Sequence, residues 1–399
     1  MERIYLDHAA TTPLRPEVVE AMRPFAQEVF GNPSSLHARG REARRRVDEA
    51  RDRIAAILRC RPGEIYFTSG GSESDTWALM GSVVAARERG DPRRRIMVSA
   101  VEHRAVLDTA EALARSGVNV DYLPVDRFGR IAVDEVVERV ERQKDTLLVA
   151  VMYANNEVGT IQPVRELGAR LRELGVLFFV DAVQAPGYLP LDLQELPCDL
   201  LALSAHKFNG PKGAGLLYVR RGVEIAPLVH GGAQERGRRG GTENVAGVVG
   251  MAVALELAEG ERPAEAKRVA ALRDRLFALI RKALPDTRCH GHPAERLPNN
   301  LNLSWPGVAS DTLLLALDLA GVEASSGAAC SAGALTESHV LTAMGVREAE
   351  AGGPLRLSLG RGNTEAEIDE AARRIVAAVE AVRERRQSAG GAGEPDGRR

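Results

Sequence analysis

Lys207 lies in a segment whose residues suit chemistry by a lysine amine. The run 204–213, with the sequence SAHKFNGPKG, directly follows an apolar stretch that ends at Leu203. A lysine amine forms Schiff bases with aldehydes, and a residue just past a buried strand reaches the crevice at the edge of the sheet. Since an isolated lysine in a glycine-rich turn is usually an ordinary surface residue, the interpretation depends on the neighbouring strand ends.

One strand earlier, a carboxylate occupies the corresponding position. Asp181 follows the apolar run 177–180, and Gln184 lies three residues further along. Pyridoxal phosphate needs an anion beside its pyridine nitrogen so that the ring stays protonated and accepts electrons. Gln184 is then placed to donate to the phenolic oxygen of the ring. A lone aspartate after a strand is more commonly a cap or turn residue. The cofactor role predicted for Asp181 therefore depends on the presence of Lys207 at the end of the neighbouring strand.

A third strand end carries the groups that a phosphate needs. The run 67–75, FTSGGSESD, gives a strand, two glycines and a capping-box pattern from Ser72 to Asp75. Glycine at position 71 lets the backbone approach an anion, and the helix start favours negative charge. Ser204 and His206 add side-chain donors. A nucleotide P-loop is the rival interpretation, but the chain has no G-x-x-x-x-G-K-[ST] string.

His103 follows the apolar run 95–98. A histidine there can stack over a cofactor ring and move protons near neutral pH, although a lone histidine is more commonly structural. Cys330 lies among small residues in the run 324–333, ASSGAACSAG, which favours neither strand nor helix. We expect its thiol to be exposed and mobile, whereas Cys60 and Cys198 have the surroundings of structural cysteines.

The string 289–292, CHGH, resembles part of a metal cluster. A closed zinc site needs four ligands at suitable spacing, and no further partners lie nearby in the sequence. We therefore predict no metal site. The four cysteines of the chain show no paired spacing, which is typical of a reducing compartment and of thiol chemistry rather than of a disulfide framework.

These residues are positioned by alternating apolar runs and helical patterns between about residues 15 and 217. The predicted strands are 65–67, 95–98, 147–151, 177–180 and 200–203, and the predicted helices include 76–88, 106–116 and 164–174. This alternation predicts an α/β fold with a mostly parallel sheet covered by helices, in a large domain over residues 15–260. The arginine-rich stretch 39–53 carries interleaved acids at helical spacing, which predicts an amphipathic helix rather than a nucleic-acid site.

The pattern changes in the second part of the chain. A long helical pattern covers residues 245–284, with an interruption predicted near Gly260 and Pro263, and short strands follow near 300–303 and 355–359. We predict a smaller α+β domain from residues 1–14 and 261–386, which would carry the Cys330 segment. Residues 387–399 lack apolar periodicity and are expected to form a disordered tail.

The chain has 399 residues and a formal net charge of −2. Neither direct nucleic-acid binding nor membrane association is expected from so small a charge and from the absence of a long uncharged apolar run. The residues after Met1 contain no apolar leader segment, so we expect a cytoplasmic protein.

Taken together, these strings resemble the cysteine desulfurases, the NifS/IscS-like branch of the class V aminotransferase group. The resemblance covers nearly the whole chain. Its markers are YLDHAATTP (5–13), NPSS (32–35), NNEVG (155–159), the lysine segment 204–213, HGG (230–232), GTEN (241–244) and LSLG (357–360). It implies a type I pyridoxal-phosphate fold, a homodimer with shared active sites, and transfer of sulfur from L-cysteine.

The resemblance also implies roles for individual residues. Lys207 would be the Schiff-base lysine, Asp181 the pyridinium partner, His103 the ring-stacking acid–base residue and Cys330 the sulfur nucleophile. Gln184 would contact the phenolic oxygen, Asn156 and Arg356 would hold the substrate carboxylate, and Asn156 would also contact the cofactor. Gly71, Ser72, Ser204 and His206 would hold the phosphate, with Thr242 reaching in from the other subunit.

This sequence departs from the family pattern in two places. Ser72 stands where many members have threonine, and Gly240 replaces a more usual serine before Gly241 and Thr242; the hydroxyls of positions 72 and 242 are kept. The stretch that leads to residues 337–341 resembles the branch whose long loop delivers sulfur directly.

A selenocysteine lyase or an aminotransferase for small amino acids remains an alternative on the same fold. The sulfur acceptor stays open between an iron–sulfur scaffold, a tRNA thiolation protein, nitrogenase maturation and DNA sulfur modification.

Overall fold

The computed structural model describes residues 3–327 and 337–390. Its strands are β1 (Ile4–Tyr5), β2 (Ile65–Thr68), β3 (Arg95–Ser99), β4 (Asn119–Leu123), β5 (Thr146–Ala150), β6 (Leu177–Asp181), β7 (Leu200–Ser204), β8 (Gly215–Val219), β9 (Arg288–His290), β10 (Asn300–Ser304), β11 (Val322–Glu323) and β12 (Leu355–Ser358). Its helices are α1 (Pro16–Met22), α2 (Ala38–Leu58), α3 (Gly71–Glu88), α4 (Arg104–Arg115), α5 (Val133–Arg142), α6 (Val164–Glu173), α7 (Val245–Ala283), α8 (Ser310–Leu319), α9 (His339–Ala343), α10 (Glu348–Ala351) and α11 (Glu365–Gly390).

A seven-stranded sheet in the order β2-β8-β7-β6-β5-β3-β4 forms the larger part of the fold. From β7 to β4 all neighbours are parallel, whereas β8 is antiparallel to both β2 and β7. Strands buried on both faces read as continuous apolar runs, which is why the sequence reveals them. The predicted mostly parallel sheet is confirmed.

Helices cover both faces of this sheet. Successive residues of β6 belong to the hydrophobic cores on opposite faces of the sheet. Phe178 is part of the core that includes residues of α2, α5, α6 and α7, and Phe179 is part of the core that includes residues of α3 and α4. This alternation follows from the period of two in a strand. The arginine-rich stretch is helical, as predicted, and Arg45 pairs with Glu42 and Glu49 on the surface of α2.

A second core lies around the antiparallel sheet β12-β10-β9 and the parallel pair β1-β11. Helices α8 and α11 and the second half of α7 pack on it, together with Ile4 and Leu6 from the start of the chain. The assignment of residues 15–260 to one domain and of 1–14 with 261–386 to another stays a prediction.

Helix α7 connects the two cores and corrects one expectation. It continues without a break through Gly260 and Pro263, where the sequence predicts an interruption. Proline in a helix removes one hydrogen bond and costs about 3 kcal/mol. Residues on both sides of Pro263 are anchored, since Leu255 is buried in the first core and Val269 in the second. Tertiary packing therefore outweighs the local preference.

Helix α11 extends to Gly390 and so enters the stretch that was expected to lack structure from Gln387. Adding a residue to an existing helix costs little, because the expensive step is nucleation. None of the helices in residues 3–327 and 337–390 combines the length and the apolar character that crossing a bilayer requires.

Candidate active site

A cavity of about 310 Å³ opens at the carboxyl ends of the parallel strands. It is lined by ten of the residues singled out in the sequence, namely Gly71, Ser72, His103, Asn156, Asp181, Gln184, Ser204, His206, Lys207 and Arg356. The remaining lining residues are Ala9, Ala10, Asp75, Met152 and Val183. Ligands of open α/β sheets bind at this edge, so the fold gathers side chains that lie far apart in the sequence.

Lys207 ends a short 3-10 helix, Ala205–Lys207, that directly follows β7. Its Nζ donates hydrogen bonds to the carbonyl oxygens of Ala9, at 2.6 Å, and Ala10, at 2.8 Å. The Nε2 of Gln184 donates to the same oxygen of Ala9 at 3.1 Å. The N-terminal segment therefore holds both polar side chains at the cavity.

Asp181 is the last residue of β6 and is 5% exposed. Its Oδ1 accepts a hydrogen bond from the backbone N–H of Val183 at 2.9 Å. Burial raises the pKa of this carboxyl, while the positive charges of His103 and Lys207 act in the opposite direction. A cationic ring nitrogen beside Asp181 would favour its ionised form further.

Helix α3 begins at the cavity, and its start differs from the expected one. The N-cap is Gly70 and accepts no side-chain capping bond, and Ser72 already lies inside the helix. The predicted capping box from Ser72 to Asp75 is therefore wrong, because the helix starts one residue before its supposed cap. The 18-residue helix directs its N-terminus and the Ser72 backbone toward the cavity, which suits an anion. A Cβ on Gly71 would stand 3.0 Å from Val183 Cγ2, so a larger residue there would require the Val183 side chain to shift.

His206 contributes an uncharged ring to the same end of the cavity. Its Nδ1 lies 3.2 Å from the hydroxyl of Thr11. Burial lowers the pKa of His206 to about 4, and the neighbouring charges of Lys207 and Lys212 add to that effect. Near neutral pH His206 therefore acts as a neutral hydrogen-bonding group.

His103 caps the N-terminus of α4, and its Nδ1 accepts a hydrogen bond from the backbone N–H of Ala105 at 3.1 Å. An accepting Nδ1 leaves the proton of the neutral ring on Nε2. The cap thus fixes both the position of the ring at the cavity and its tautomer.

Arg356 lies on β12 and is 3% exposed. Its Nη1 donates to the carbonyl oxygen of Asn156 at 3.2 Å, and its Nη2 donates to Asp7 Oδ1 at 2.7 Å. Its Nε is buried with no hydrogen-bond partner. A guanidinium with an unused donor at a cavity suits a carboxylate ligand.

Two buried carboxyl groups beside the cavity were missed by the sequence interpretation. Asp75 lines the cavity, is 1% exposed and has no partner for Oδ1; burial and the charge of Asp181 raise its pKa well above the usual range. Glu102 is fully buried, which raises its pKa to about 8, and it accepts from the N–H of Met152. Nothing in the local sequence marks these carboxyls as buried, since Asp75 lies on α3 and Glu102 lies in the segment between β3 and α4, where it meets Met152.

One of the described candidate residues does not line the cavity. Thr242 is exposed and lies outside its lining. Cys330 lies outside the described residues. Cys198 is buried and Cys60 is half-buried, and burial raises the pKa of each thiol to about 12. Neither has the ready ionisation that a sulfur nucleophile needs.

The CHGH string forms ordinary contacts. Cys289 Sγ accepts from Arg296 Nη1 at 3.1 Å, His290 Nε2 lies 2.8 Å from Ser304 Oγ, and His292 Nδ1 accepts from the N–H of Glu295 at 2.8 Å. Across residues 3–327 and 337–390 no group of three histidine, cysteine, aspartate or glutamate side chains is arranged to hold a metal.

The donor set of the cavity fits pyridoxal phosphate. It combines a lysine amine, a buried aspartate on the next strand and a helix N-terminus with a hydroxyl and a glycine. These groups match the aldehyde, the pyridine nitrogen and the phosphate of that cofactor, respectively.

Comparison with known proteins points in the same direction. The family Aminotransferase class-V matches residues 4–371. The chain is 48% identical over 366 residues to "Cysteine desulfurase IscS" of Methanosarcina thermophila, covering 92% of this chain and 89% of that one.

Solved structures resemble the whole fold. One titled "NIFS-LIKE PROTEIN" has a TM-score of 0.88 at 40% identity and covers 95% of this chain and 100% of its own. Another, titled "SspA in complex with cysteine", has a TM-score of 0.77 at 35% identity, covering 89% of this chain and 98% of its own. The predicted resemblance and the predicted fold are both confirmed.

Proposed function

The chain belongs to the class-V aminotransferase family and is a cysteine desulfurase that works with pyridoxal phosphate, and we propose that Lys207 binds its cofactor and that Cys330 takes the sulfur. The observation that supports these roles most strongly is the meeting of Lys207, Asp181 and the start of α3 in one cavity. Lys207 lies just past the end of β7, Asp181 is the last residue of β6, and α3 begins just after β2.

We assign the cofactor contacts as follows. Asp181 pairs with the pyridine nitrogen, Gln184 donates to the phenolic oxygen, and His103 stacks on the ring. The phosphate is held by Gly71, Ser72, Ser204 and His206. When bound, pyridoxal phosphate supplies an electron sink that stabilises negative charge at the α-carbon of an amino acid. Asp181 keeps that sink effective because its buried carboxylate favours a protonated ring.

Lys207 and His103 handle protons. The amine of Lys207 stands at the carbonyl oxygens of Ala9 and Ala10, and in this scheme the free amine would serve as the base for the α-proton of the substrate. His103 carries its proton on Nε2 when neutral, which makes it a donor or relay on the other side of the cavity. A general acid or base of this kind contributes about 10²–10⁴-fold in rate.

Asn156 and Arg356 bind the α-carboxylate of L-cysteine in this scheme. Arg356 is buried and retains an unpaired Nε, so a carboxylate satisfies a donor that the folded protein leaves unused. Fixing the carboxylate at one end and the amine at the other defines which substituent of the α-carbon faces Cys330.

Cys330 is the nucleophile for sulfur. Its thiolate attacks the sulfur atom of the bound L-cysteine, so that an S–S bond forms while the bond between that sulfur and the β-carbon breaks. L-Alanine leaves and Cys330 holds a persulfide. The persulfide sulfur then passes to an acceptor protein, and we propose an iron–sulfur scaffold in the cytoplasm as that acceptor.

We propose that the enzyme is a homodimer in which Thr242 of one subunit completes the phosphate site of the other. Thr242 is exposed in the single chain, and its segment follows Arg239, which pairs with Glu73 on α3. This ion pair holds the segment beside the start of the phosphate-binding helix.

The direct test of the activity is to incubate the holoenzyme with L-cysteine and a reductant and to quantify L-alanine and sulfide. Formation of both in equal amounts supports the proposal. Conversion of L-alanine and a 2-oxo acid into a new amino acid, without sulfide from L-cysteine, would identify an aminotransferase instead.

A further inference from the structure

Asp7 connects Arg356, the arginine proposed to bind the substrate carboxylate, to Ser325. Its Oδ1 accepts from Arg356 Nη2 at 2.7 Å, and its Oδ2 accepts from the hydroxyl of Ser325 at 2.8 Å. The Asp7 side chain is 17% exposed, whereas that of Arg356 is 3% exposed. Both carboxylate oxygens are thus occupied by fixed donors.

The backbone around these residues is also fixed. Arg356 donates its N–H to the carbonyl oxygen of Ser325 at 2.7 Å, and Ser325 returns a bond to the carbonyl oxygen of Arg356 at 3.3 Å. Asp7 forms a parallel bridge with Ser358. Three distant parts of the sequence therefore meet at the Asp7 carboxylate, which gives it a defined orientation.

Asp7 contacts the guanidinium of Arg356 at a nitrogen other than the unpaired Nε. Arg356 and Asn156 line the cavity, and Asp7 does not. Since Asp7 does not line the cavity, we infer that its effect on the substrate acts through Arg356. The buried and unpaired Nε of Arg356 indicates that the guanidinium is held ready for a further acceptor.

We propose that Asp7 is a positioning residue for the desulfurase reaction: it fixes the plane of the Arg356 guanidinium so that its free edge meets the carboxylate of L-cysteine. This inference rests on the carboxylate role proposed for Arg356. Recognition of a carboxylate by a guanidinium depends on alignment of a planar fork, so a rotated fork loses paired hydrogen bonds. Asp7 and the carbonyl oxygen of Asn156 restrain that fork at two of its nitrogens.

The test compares two ligands that differ only in the carboxylate. L-Alanine and ethylamine both react with the cofactor of the holoenzyme, and only L-alanine carries a carboxylate. The dissociation constants are obtained by titration of the cofactor absorbance, which requires no turnover. In Asp7→Ala we expect binding of L-alanine to weaken about 10-fold or more, as is typical when the partner that orients a binding group is removed, and binding of ethylamine to change by less than about 2-fold.

Two further variants separate positioning from general damage. Asp7→Asn keeps an acceptor for Arg356 Nη2, so we expect it to recover most of the L-alanine affinity. Asp318→Ala is the matched control, because Asp318 also pairs with an arginine, Arg3, but lies exposed on the surface. It is expected to bind both ligands like the wild type.

The outcomes are distinguishable. If Asp7→Ala binds L-alanine as tightly as or more tightly than the wild type, or loses both ligands equally, Asp7 does not position Arg356. If Arg356→Leu leaves L-alanine binding unchanged, the carboxylate role of Arg356 itself is wrong. A loss in Arg356→Leu combined with wild-type affinity in Asp7→Ala overturns the positioning role alone.

Discussion

The Nζ of Lys207 donates a hydrogen bond to the carbonyl oxygen of Ala9 at 2.6 Å. This bond joins the end of a central strand of the large sheet to the N-terminal segment, whose neighbouring residues pack on the second core. The amine that is proposed to bind the cofactor is therefore positioned from both cores, and its reactivity is open to direct tests.

Substitution of Lys207 and of the nearby Lys212 should show which of the two lysines binds the cofactor. Lys207→Ala is expected to lose the visible absorbance of covalently bound pyridoxal phosphate and about 10²–10⁴-fold or more in alanine formation, because both the covalent link and the base are gone. Lys212→Ala is the matched control, since Lys212 is exposed in the same turn. A cofactor spectrum that survives in Lys207→Ala but not in Lys212→Ala would reverse the assignment.

The two aspartates of the cavity should respond differently to the same substitution. Asp181→Asn removes the anion proposed for the pyridine nitrogen, so alanine formation should fall by about 10²-fold while cofactor remains bound. Asp75→Asn should retain most of the activity, because burial and the charge of Asp181 raise the pKa of Asp75 and keep it neutral. The steady-state rates of alanine formation by the two variants test this difference. Equal losses of activity would contradict the assignment of Asp181, and not Asp75, as the partner of the pyridine nitrogen.

Glu102 should make stability depend on pH. Burial raises its pKa from 4.5 to about 8, so the folded protein binds this proton more tightly than the unfolded chain. The contribution of Glu102 to stability is therefore fully present below about pH 4.5 and is lost as the pH rises through about 8. Glu102→Gln keeps an acceptor for the N–H of Met152 and cannot ionise, so its stability relative to the wild type should increase between pH 5 and pH 9.

The measurement for Glu102→Gln is the midpoint of thermal unfolding of the holoenzyme across that pH range. Glu111→Gln, at an exposed position on α4, controls for the general loss of one carboxylate. A difference between Glu102→Gln and the wild type that stays constant with pH would show that Glu102 is already ionised in the folded protein.

Thr242 should act across a subunit interface. Thr242→Ala is expected to weaken retention of the cofactor, and Lys207→Ala to abolish activity. A mixed dimer of the two variants contains one intact site, so reassociation of equal amounts should restore about a quarter of the wild-type activity. No recovery after verified subunit exchange would mean that Thr242 does not contribute to the partner's site.

The residues that the sequence places correctly follow buried parallel strands. Asp181 comes directly after an apolar run, Lys207 and Ser72 follow such runs within a few residues, and parallel strands bring these positions to one edge of a sheet. Arg356 lies in the second core, and no pattern near it indicates the cavity. Its role came from family resemblance alone.

What the sequence did not reveal depends on packing between distant segments. Asp75 looks like an ordinary polar residue of a helix and Glu102 like one of a loop; Asp75 is buried where α3 packs on the sheet, and Glu102 where the segment between β3 and α4 meets Met152. Similarly, Pro263 predicts a break in α7 that the two cores override. Asp7 looks like an ordinary turn residue in the sequence. Its contacts with Arg356 and Ser325 form only because the fold brings β1, β11 and β12 close together.

The central claim is that Cys330 receives the sulfur of L-cysteine. The most direct test is to incubate the holoenzyme with ³⁵S-labelled L-cysteine and to locate the label on the protein before and after reduction. We expect the wild type and Cys289→Ser to carry reducible label and to form L-alanine, and Cys330→Ser to do neither while keeping the cofactor absorbance. Wild-type rates of L-alanine formation and wild-type labelling in Cys330→Ser would contradict the account.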